Sequence, residues 1–449
     1  MYQLQSWLQS AKGMAAPLVE PKRFKAGPSS SERVGFIASR DVDAGAPLLV
    51  IPESVAITSI DAENHPVVGE AAKGGGELVG LALWLMAERA AGGASPYAPL
   101  LAALPESTDS PILWDDKERA EQLQGSPVLE EARSRQAALQ QQWAQLAEAF
   151  FSKDPARFDP ATFNEAAFLR AFCVVLAHAS YLPSAELFAL LPLAGQLGRT
   201  GNENGCDLDY DAGSGAVVLK SARPYREGQE VLLNDGRPNG ELLLCFGTVQ
   251  DNNLSDFLLF NASLVRADKY YQSKQQLLQA MGMSSEERFP VYADKFPIQL
   301  LAYLRLSRIQ DPALFAKASF DSDVVVTQMN EYEVLQLLMG DCRERLAAYK
   351  TSMEEEIKAL QSPDLSGTAR LAARLRMGEK RILSQFMDAV RRKLAPVRGI
   401  PTKGGGMQDP NADLKEIFDT IEAIPQAPAK LFDGIRRWAR GEFDPDWNK

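Results

Sequence analysis

The segment NDGRPNGELLLCFG, residues 234–247, decides the fold because it leads from the end of an apolar strand into a short apolar helix. Asn239 and Gly240 provide a cap-like start, and Glu241 puts a negative charge in the first turn. Gly247 provides the stop that helices commonly use. The pattern therefore predicts a short helix that directly follows a strand.

Strand signals come immediately before this helix. EVLLN is an apolar strand, and CDLDYD and AVVLKS flank the turn AGSG in the pattern of a hairpin. Asp207, Asp209 and Asp211 alternate on one face of that hairpin, which is also compatible with a bound cation. They lack the spacing and the distal glutamate of a calcium loop, so a solvated hairpin is favoured and a cation site is the alternative.

A similar strand pattern lies near the N-terminus. VGFIASRDVDAGAPLLVIP predicts two short strands around a turn, and RDVDAGAPLLV (40–50) matches RPYREGQEVLL (223–233) in a basic residue, a turn glycine and an apolar strand. The chain between them has helical periodicity in ELVGLALWLMAERAA, SPVLEEARSRQAALQQQWAQLAEAF and NEAAFLRAFCVVLAHAS. One β-domain interrupted by a helical insertion explains this order.

Beyond Val265 we expect helices to the end of the chain. Apolar residues recur at three- and four-residue steps in EYEVLQLLMGDCRERLAAYKTSMEEEIKAL and in ARLRMGEKRILSQFMDAVRRKLAPV. Charged outer faces on two such long helices indicate a separate helical lobe. The segments TKGGGMQDP and KGGGELVG lack the spacing of a phosphate-binding loop and are interpreted as linkers.

The composition excludes several classes of function. The chain has 449 residues and a net charge of −11 with dispersed basic residues, which argues against direct nucleic-acid binding. Four cysteines without a CxxC pair and only two histidines predict neither a disulfide framework nor a metal site. We expect no transmembrane segment, because no apolar run approaches the roughly 20 residues that cross a bilayer. The start of the sequence has no signal-peptide pattern.

The order of these segments resembles the SET-domain family typified by the plastid Rubisco large-subunit lysine methyltransferase. The resemblance is carried by VGFIASRDVDAGAPLLVIP, YAPLLAALP, ILWDDKE, DLDYD, RPYREGQEV and NGELLLCFG, and by KRILSQFMDAVRRKL and LFDGIRRW in the last lobe. It implies an α+β fold in which a SET β-domain, residues 1–75 and 184–265, is split by a helical insertion, residues 76–183. Residues 266–449 would form an all-α C-terminal lobe of the substrate-binding type.

The resemblance also places a site for the methyl donor, S-adenosylmethionine, at positions where this sequence departs from the family. The family's G-x-G turn falls on Arg33 and Gly35. Its aspartate falls on Gly195, and its Asn-His pair falls on Gly198 and Arg199. Pairing of these arginines with a nearby carboxylate, such as Glu203, is favoured, and a new anion site in the emptied pocket is the alternative.

The positions that hold the acceptor amine in the family have changed as well. The tyrosine of the strand before NGELL falls on Asn234 or Asp235, and the tyrosine at the helix end falls on Phe246, which has no oxygen atom. An upstream arginine of the family falls on His178. Without the resemblance, Phe246 and His178 are interpreted as core residues.

These substitutions lead us to expect a chloroplast-stroma protein that has lost methyl transfer, binds no cofactor and engages a plastid protein complex through its C-terminal lobe. Rubisco, a photosynthetic complex and the plastid transcription machinery all fit as that partner. The alternative is an active S-adenosylmethionine-dependent protein-lysine N-methyltransferase with a rearranged pocket. In that case Asn202 or Asn204 would replace the missing asparagine, or Tyr210 or Tyr225 would supply a phenol.

Overall fold

The computed structural model describes residues 2–12, 14–24, 33–201, 205–293, 295–320 and 322–397. The TKGGGMQDP and LFDGIRRW segments, Asn202, Glu203 and Asn204 lie outside these residues. In the described part the helices are α1 (Tyr2–Lys12), α2 (Ser59–Glu63), α3 (Gly69–Ala72), α4 (Glu77–Ala91), α5 (Ala98–Leu101), α6 (Asp116–Gln122), α7 (Val128–Ala149), α8 (Glu165–His178), α9 (Asn239–Phe246), α10 (Tyr271–Ala280), α11 (Ile298–Arg308), α12 (Gln328–Ala348), α13 (Met353–Leu360) and α14 (Gly367–Val397).

The strands of the described part are short, and most of them precede α9. They are β1 (Val19–Phe24), β2 (Arg33–Ala38), β3 (Pro47–Pro52), β4 (Ala179–Leu182), β5 (Leu187–Leu190), β6 (Gly198–Thr200), β7 (Asp207–Asp211), β8 (Ala216–Lys220), β9 (Glu230–Asn234), β10 (Leu258–Ser263) and β11 (Glu286–Val291).

The β-domain is built from several small sheets. Strands β1, β2, β9 and β6 form one sheet in that order, β3, β8 and β7 form another, and β4 pairs with β5. Strand β6 runs parallel to β9, with Arg199 opposite Leu233 and Thr200 opposite Asn234. This pairing brings the segment GQLGRTG next to the strand that leads into α9.

The N-terminal strand pattern is present, but β2 and β3 do not pair with each other. Strand β2 pairs with β1 and β9, whereas β3 pairs with β8. The two similar segments of the sequence meet instead: the backbone N–H groups of Val42 and Tyr225 each donate to the other residue's carbonyl oxygen at 2.8 Å. Their likeness in sequence therefore belongs to two turns that lie side by side.

The long predicted helices of the insertion are present as α4, α7 and α8. Every residue of α4 from Leu78 to Glu88 is buried, because the segment is apolar all round. Trp84 on α4, Phe172 on α8 and Leu219 on β8 belong to one hydrophobic cluster. The insertion and the strands therefore share a single core.

The C-terminal lobe has a core of its own and is mainly helical, as predicted. Helices α11, α12 and α14 contribute Leu304, Leu338 and Phe386 to this core. The expectation of helices alone beyond Val265 is wrong in one respect, because β11 forms an antiparallel pair with β10. The buried Phe289 and Val291 alternate with less buried neighbours in β11, a period of two that the surrounding helical segments concealed.

The long helical pattern EYEVLQLLMGDCRERLAAYKTSMEEEIKAL contains a break. Helix α12 ends at Ala348, and α13 begins after Ser352, which forms a capping box with Glu355. The buried Tyr349 lies between the two helices. Apolar residues on both sides of the break keep the helical spacing, so periodicity alone did not reveal it.

No helix in the described ranges is long and apolar enough to cross a membrane. Across the same ranges, no group of three or more histidine, cysteine, aspartate or glutamate side chains is arranged to hold a metal ion.

Candidate functional site

Helix α9 begins differently from the prediction. Pro238 occupies the N-cap position without a side-chain hydrogen bond, and Asn239 is the first helical residue. The Asn239 side chain instead donates to Asp256 at 2.7 Å and to the carbonyl of Gln250 at 3.0 Å. Asn239 is therefore a link between the helix and the segment that follows it, and not a cap.

Helix α9 ends at Gly247, as predicted. Gly247 has a φ of +63°, and a Cβ atom added there would lie 2.8 Å from the backbone of Asp109. The buried hydroxyl of Ser110 donates to the carbonyl of Leu244 at 2.6 Å. The insertion thus fixes the end of α9, and with it the position of Phe246.

Phe246 lies beneath two arginine side chains. The guanidinium carbon of Arg199 is 4.2 Å from the centre of the Phe246 ring, and that of Arg237 is 5.0 Å away. Cations at these distances are attracted by the electron-rich face of an aromatic ring. Arg199 comes from β6 and Arg237 from the β9–α9 connection, so the ring joins two parts of the chain.

Both arginines also face the buried carboxylate of Asp235. The Nη1 atom of Arg199 donates to Asp235 Oδ2 at 3.3 Å, and the Nε atom of Arg237 lies 3.6 Å from Oδ1. Burial lowers the pKa of Arg199, and the attraction of Asp235 offsets that effect only in part. For Arg237 burial acts in the same direction but is outweighed by Asp235 and other acidic neighbours, so its pKa is raised.

A hydrogen-bond relay holds the backbone of Arg199 in place. The side chain of Gln250 donates to the carbonyl of Arg199 at 3.0 Å, and its backbone N–H donates to the side chain of Asn239 at 2.9 Å. The residues that position the arginine therefore come from both sides of α9. Sequence reasoning assigned no role to Gln250 or Arg237, although Arg237 lies within NDGRPNG.

His178 and Gly195 are in direct contact. The Nδ1–H group of His178 donates to the carbonyl of Gly195 at 2.7 Å, and burial lowers the pKa of the imidazole to about 4. A Cβ atom added to Gly195 would lie 2.4 Å from the carbonyl oxygen of His178. The end of α8 thus occupies the space that a side chain at position 195 would need.

The structure brings some predicted site residues together and leaves others apart. Gly198, Arg199, Asp235 and Phe246 meet where β6, β9 and α9 converge. Gly35 is buried on β2, which pairs with the other edge of β9. For Arg33, which begins β2, the structure describes only the backbone.

The structure shows the contacts of the tyrosine, aspartate and arginine residues for which the sequence left alternative roles open. The hydroxyl of Tyr210 donates to Glu53 at 2.8 Å, and that of the buried Tyr225 lies 3.2 Å from the sulfur of Cys206. Asp209 accepts hydrogen bonds from Ser184, as expected of an ordinary polar hairpin residue. Arg199 pairs with Asp235, a carboxylate distant in sequence.

An ion-pair set lies beside this site. Arg135 on α7 is held by Glu131 at 2.6 Å and by Glu241, in the first turn of α9, at 2.7 Å. Burial raises the pKa of the neighbouring Cys245 thiol to about 12, so this thiol is neutral near pH 7. The pairing of Glu241 was missed because an acidic residue in a first turn already has a local explanation.

Comparisons with known proteins extend these observations. Residues 265–383 match the family described as Rubisco LSMT substrate-binding. The solved structure titled "Structure of Rubisco LSMT bound to AdoMet" matches with a TM-score of 0.73 and 21% identity, covering 93% of this chain and 99% of that one. The chain resembles Rubisco LSMT, a protein with a SET domain, in its fold. The α+β fold with a mainly helical C-terminal lobe is that of Rubisco LSMT.

Curated relatives of this chain are named as methyltransferases. A chloroplastic Rubisco large-subunit N-methyltransferase of Nicotiana tabacum is 23% identical over 81% of this chain and 77% of its own length. A chloroplastic fructose-bisphosphate aldolase-lysine N-methyltransferase of Arabidopsis thaliana is 24% identical over 84% and 79%. An actin-histidine N-methyltransferase of Danio rerio is 26% identical over 82% and 65%.

These comparisons confirm the expected family resemblance and fold, but they give no support to the expected loss of catalysis. The relatives' names favour the alternative, an active methyltransferase, over that expectation. The expectation that no cofactor is bound likewise finds no support, since the solved relative contains AdoMet. The assignments of individual site residues and the domain boundaries stay predictions.

Proposed function

We propose that this chain is a plastid protein-binding member of the SET methyltransferase fold in which methyl transfer is lost or severely reduced. The observation that carries the proposal is the position of Arg199, whose guanidinium group covers the ring of Phe246 and pairs with Asp235. By resemblance, Arg199 stands where the family contacts the donor, and Phe246 where it orients the acceptor. Here the two side chains contact each other.

The residues present do not fit S-adenosylmethionine in the way the resemblance implies. Gly195 would have to supply the family's carboxylate, but the carbonyl of His178 occupies the space for any side chain there. At the next expected contact, Arg199 carries a positive charge, and the donor is itself a cation because of its sulfonium. Like charges at short range in a partly buried site repel each other, so the substitution disfavours the donor.

The acceptor side has lost its means of orienting an amine. Phe246 cannot accept a hydrogen bond, and loss of one positioned polar catalytic group typically lowers a rate by about 10²–10⁴-fold. A protonated lysine would also meet the guanidinium groups of Arg199 and Arg237 on that ring. Both the donor and the acceptor positions thus argue against transfer.

The C-terminal lobe is the part that we assign to protein binding. It matches a family described as substrate-binding, and its surface exposes apolar side chains at the start of α12. Val324, Val325, Met329 and Tyr332 are exposed by 47%, 43%, 67% and 36%. Exposed apolar side chains that lie close together commonly mark a protein-interaction surface. A plastid complex such as Rubisco, a photosynthetic complex or the transcription machinery is the proposed partner.

The proposed location is the chloroplast stroma. It is supported by two relatives that are named as chloroplastic, from Nicotiana tabacum and Arabidopsis thaliana.

A second candidate function is S-adenosylmethionine-dependent methylation of a protein lysine. The specific observation in its favour is that the relatives matching most of this chain are named as methyltransferases, one of them acting on lysine. This function requires a donor that binds despite Arg199. It also requires an oxygen atom near the acceptor that Phe246 does not supply.

One experiment separates the two candidates. Purified full-length protein is incubated with chloroplast protein extract and S-adenosylmethionine labelled in its methyl group, beside a parallel reaction with the tobacco relative. We expect labelled protein with the relative and none with this chain. Labelling by this chain would establish the second candidate instead.

Protein binding is tested in parallel with the immobilised full-length protein. We expect Val325→Glu with Met329→Glu to abolish capture of a plastid complex that the wild type retains. Glu333→Lys changes an exposed charge on the same helix and serves as the control. Equal capture by all three proteins would refute the assignment of binding to the apolar start of α12.

A further inference from the structure

Among the residues that the structure describes, few groups accept hydrogen bonds from the side chains of Arg199 and Arg237. A guanidinium group has five N–H donors in a planar fork. Within the described part of the chain, Arg199 donates one of them, to Asp235 at 3.3 Å, while the closest approach of Arg237 to that carboxylate is 3.6 Å. The side chains of Arg199 and Arg237 are 16% and 32% exposed, so both are partly accessible from solvent.

The neighbouring charges do not occupy these donors. Glu131, Glu241 and Arg135 together carry a net negative charge, but both carboxylates are bound to Arg135. Burial lowers the pKa of His178 to about 4, so the imidazole adds no charge near pH 7. Within the described ranges, the two guanidinium groups therefore share one carboxylate, that of Asp235.

We propose that the forks of Arg199 and Arg237 form a binding site for an oxyanion, a carboxylate or a phosphate. The ring of Phe246 lies against both arginines, because their guanidinium carbons are 4.2 Å and 5.0 Å from its centre. Arginine forks match the planar oxygen pairs of carboxylates and the oxygens of phosphates, and charge-assisted bonds of this kind are strong. The site would then select an anion in place of the lysine amine that the resemblance implies.

The anion has two possible sources: an acidic side chain of a bound protein and a free anion from solution. This inference deepens the proposed function, since it rests on the same replacement of the donor and acceptor positions. The proposed function and the anion site can fail separately. Failure of the proposed function would appear as methyl transfer, whereas failure of the anion site would appear as absence of anion binding.

The test uses the full-length protein and ligand-observed nuclear magnetic resonance titrations. The probes are inorganic phosphate and three blocked glycine peptides that carry a single central glutamate, glutamine or lysine. Arg237→Gln removes one fork at the more exposed of the two arginines, and Arg199→Lys keeps the charge but removes the fork. Arg391→Gln, at an exposed arginine of α14, is the matched control. Circular dichroism establishes that each variant is folded.

We expect the glutamate peptide or phosphate to bind to the wild type and to Arg391→Gln, and the lysine and glutamine peptides not to bind. Arg237→Gln and Arg199→Lys should each weaken anion binding about tenfold, as expected for the loss of a charge-assisted hydrogen bond. Binding of the glutamate peptide assigns the site to a partner's side chain, and binding of phosphate alone assigns it to a free anion. Binding of neither probe, or equal binding by Arg237→Gln and the control, would overturn the proposal.

Discussion

Replacing Glu379 by glutamine should remove a pH dependence of the free energy of unfolding. Glu379 lies at the seam between the two hydrophobic cores, where α14 of the C-terminal lobe meets the insertion. Glu379 on α14 is 3% exposed. Its two carboxylate oxygens accept hydrogen bonds from the hydroxyl of Ser126, which precedes α7, at 2.8 Å and from that of Tyr349 at 3.0 Å. The carboxylate thus ties the lobe to the insertion through neutral donors alone.

The charged groups around Glu379 do little to stabilise its ionised form, because the attraction of Arg376 is opposed by the repulsion of Asp256. Arg376 is bound to Glu356 at 2.6 Å, and Lys380 binds the same glutamate at 2.9 Å. Asp256, on the other side, adds repulsion. Burial is the main cause that raises the pKa of Glu379 to about 7 from its ordinary value of 4.5.

The magnitude follows from this difference. A shift from 4.5 to about 7 is 2.5 units, which corresponds to about 3 kcal/mol at 1.36 kcal/mol per unit. Below pH 4.5 the carboxyl is neutral in both the folded and the unfolded chain, so it costs nothing. As the pH rises towards 7 the unfolded chain ionises first, and the folded state loses stability; above pH 7 the full penalty remains.

Urea unfolding between pH 5 and pH 8.5 measures this effect. The free energy of unfolding of Glu379→Gln minus that of the wild type should rise by about 2.5 kcal/mol over this range, because the unfolded carboxyl is already largely ionised at pH 5. Other titrating groups contribute equally to both proteins and cancel in the difference. Glu333→Gln, at an exposed glutamate of α12, should show no such rise. A constant difference between Glu379→Gln and the wild type across the range would refute this account of the seam.

Three further substitutions test the candidate site. Arg199→Ala removes a charged partner of Asp235 and leaves that carboxylate with the backbone N–H of Arg237 at 3.2 Å and the Nε atom of Arg237 at 3.6 Å. It should lower the free energy of unfolding by about 2 kcal/mol; an unchanged urea midpoint would contradict the role of the pair. Gly195→Ala forces a Cβ against the carbonyl of His178 and should destabilise the protein by about 2 kcal/mol in thermal unfolding; an unchanged unfolding temperature would show that the contact relaxes freely. Phe246→Tyr keeps an aromatic ring at the end of α9 and should fold normally yet transfer no labelled methyl group to plastid protein; labelling by this variant alone would show that a donor still binds.

The strand–helix pattern around NDGRPNGELLLCFG predicted the local structure, whereas the overall fold was predicted from the resemblance of many segments in order along the chain. The AGSG hairpin, the apolar α4 and the glycine stop at Gly247 are likewise present. Periodicity failed where two elements share a compatible spacing, as at Tyr349 between α12 and α13. It also failed at β11, a short strand inside a helical context.

The centre of the candidate site was less accessible to sequence reasoning. Arg199 and Asp235 are far apart in the sequence, and they meet because β6 runs parallel to β9. No local sequence pattern around Arg237 or Gln250 indicates that both lie against the same segment. The role of Gly195 also depends on the packing of His178 against it, which only the tertiary structure reveals. Contacts across such distances are set by topology and not by local pattern.

Isothermal titration calorimetry of the full-length protein with S-adenosylmethionine tests the central claim most directly, because it measures donor binding without requiring the acceptor protein to be known. The structure places the guanidinium group of Arg199 on Phe246 and the backbone of His178 against Gly195. We therefore predict no binding at millimolar S-adenosylmethionine. A dissociation constant in the micromolar range would contradict the account and establish that the donor site is functional.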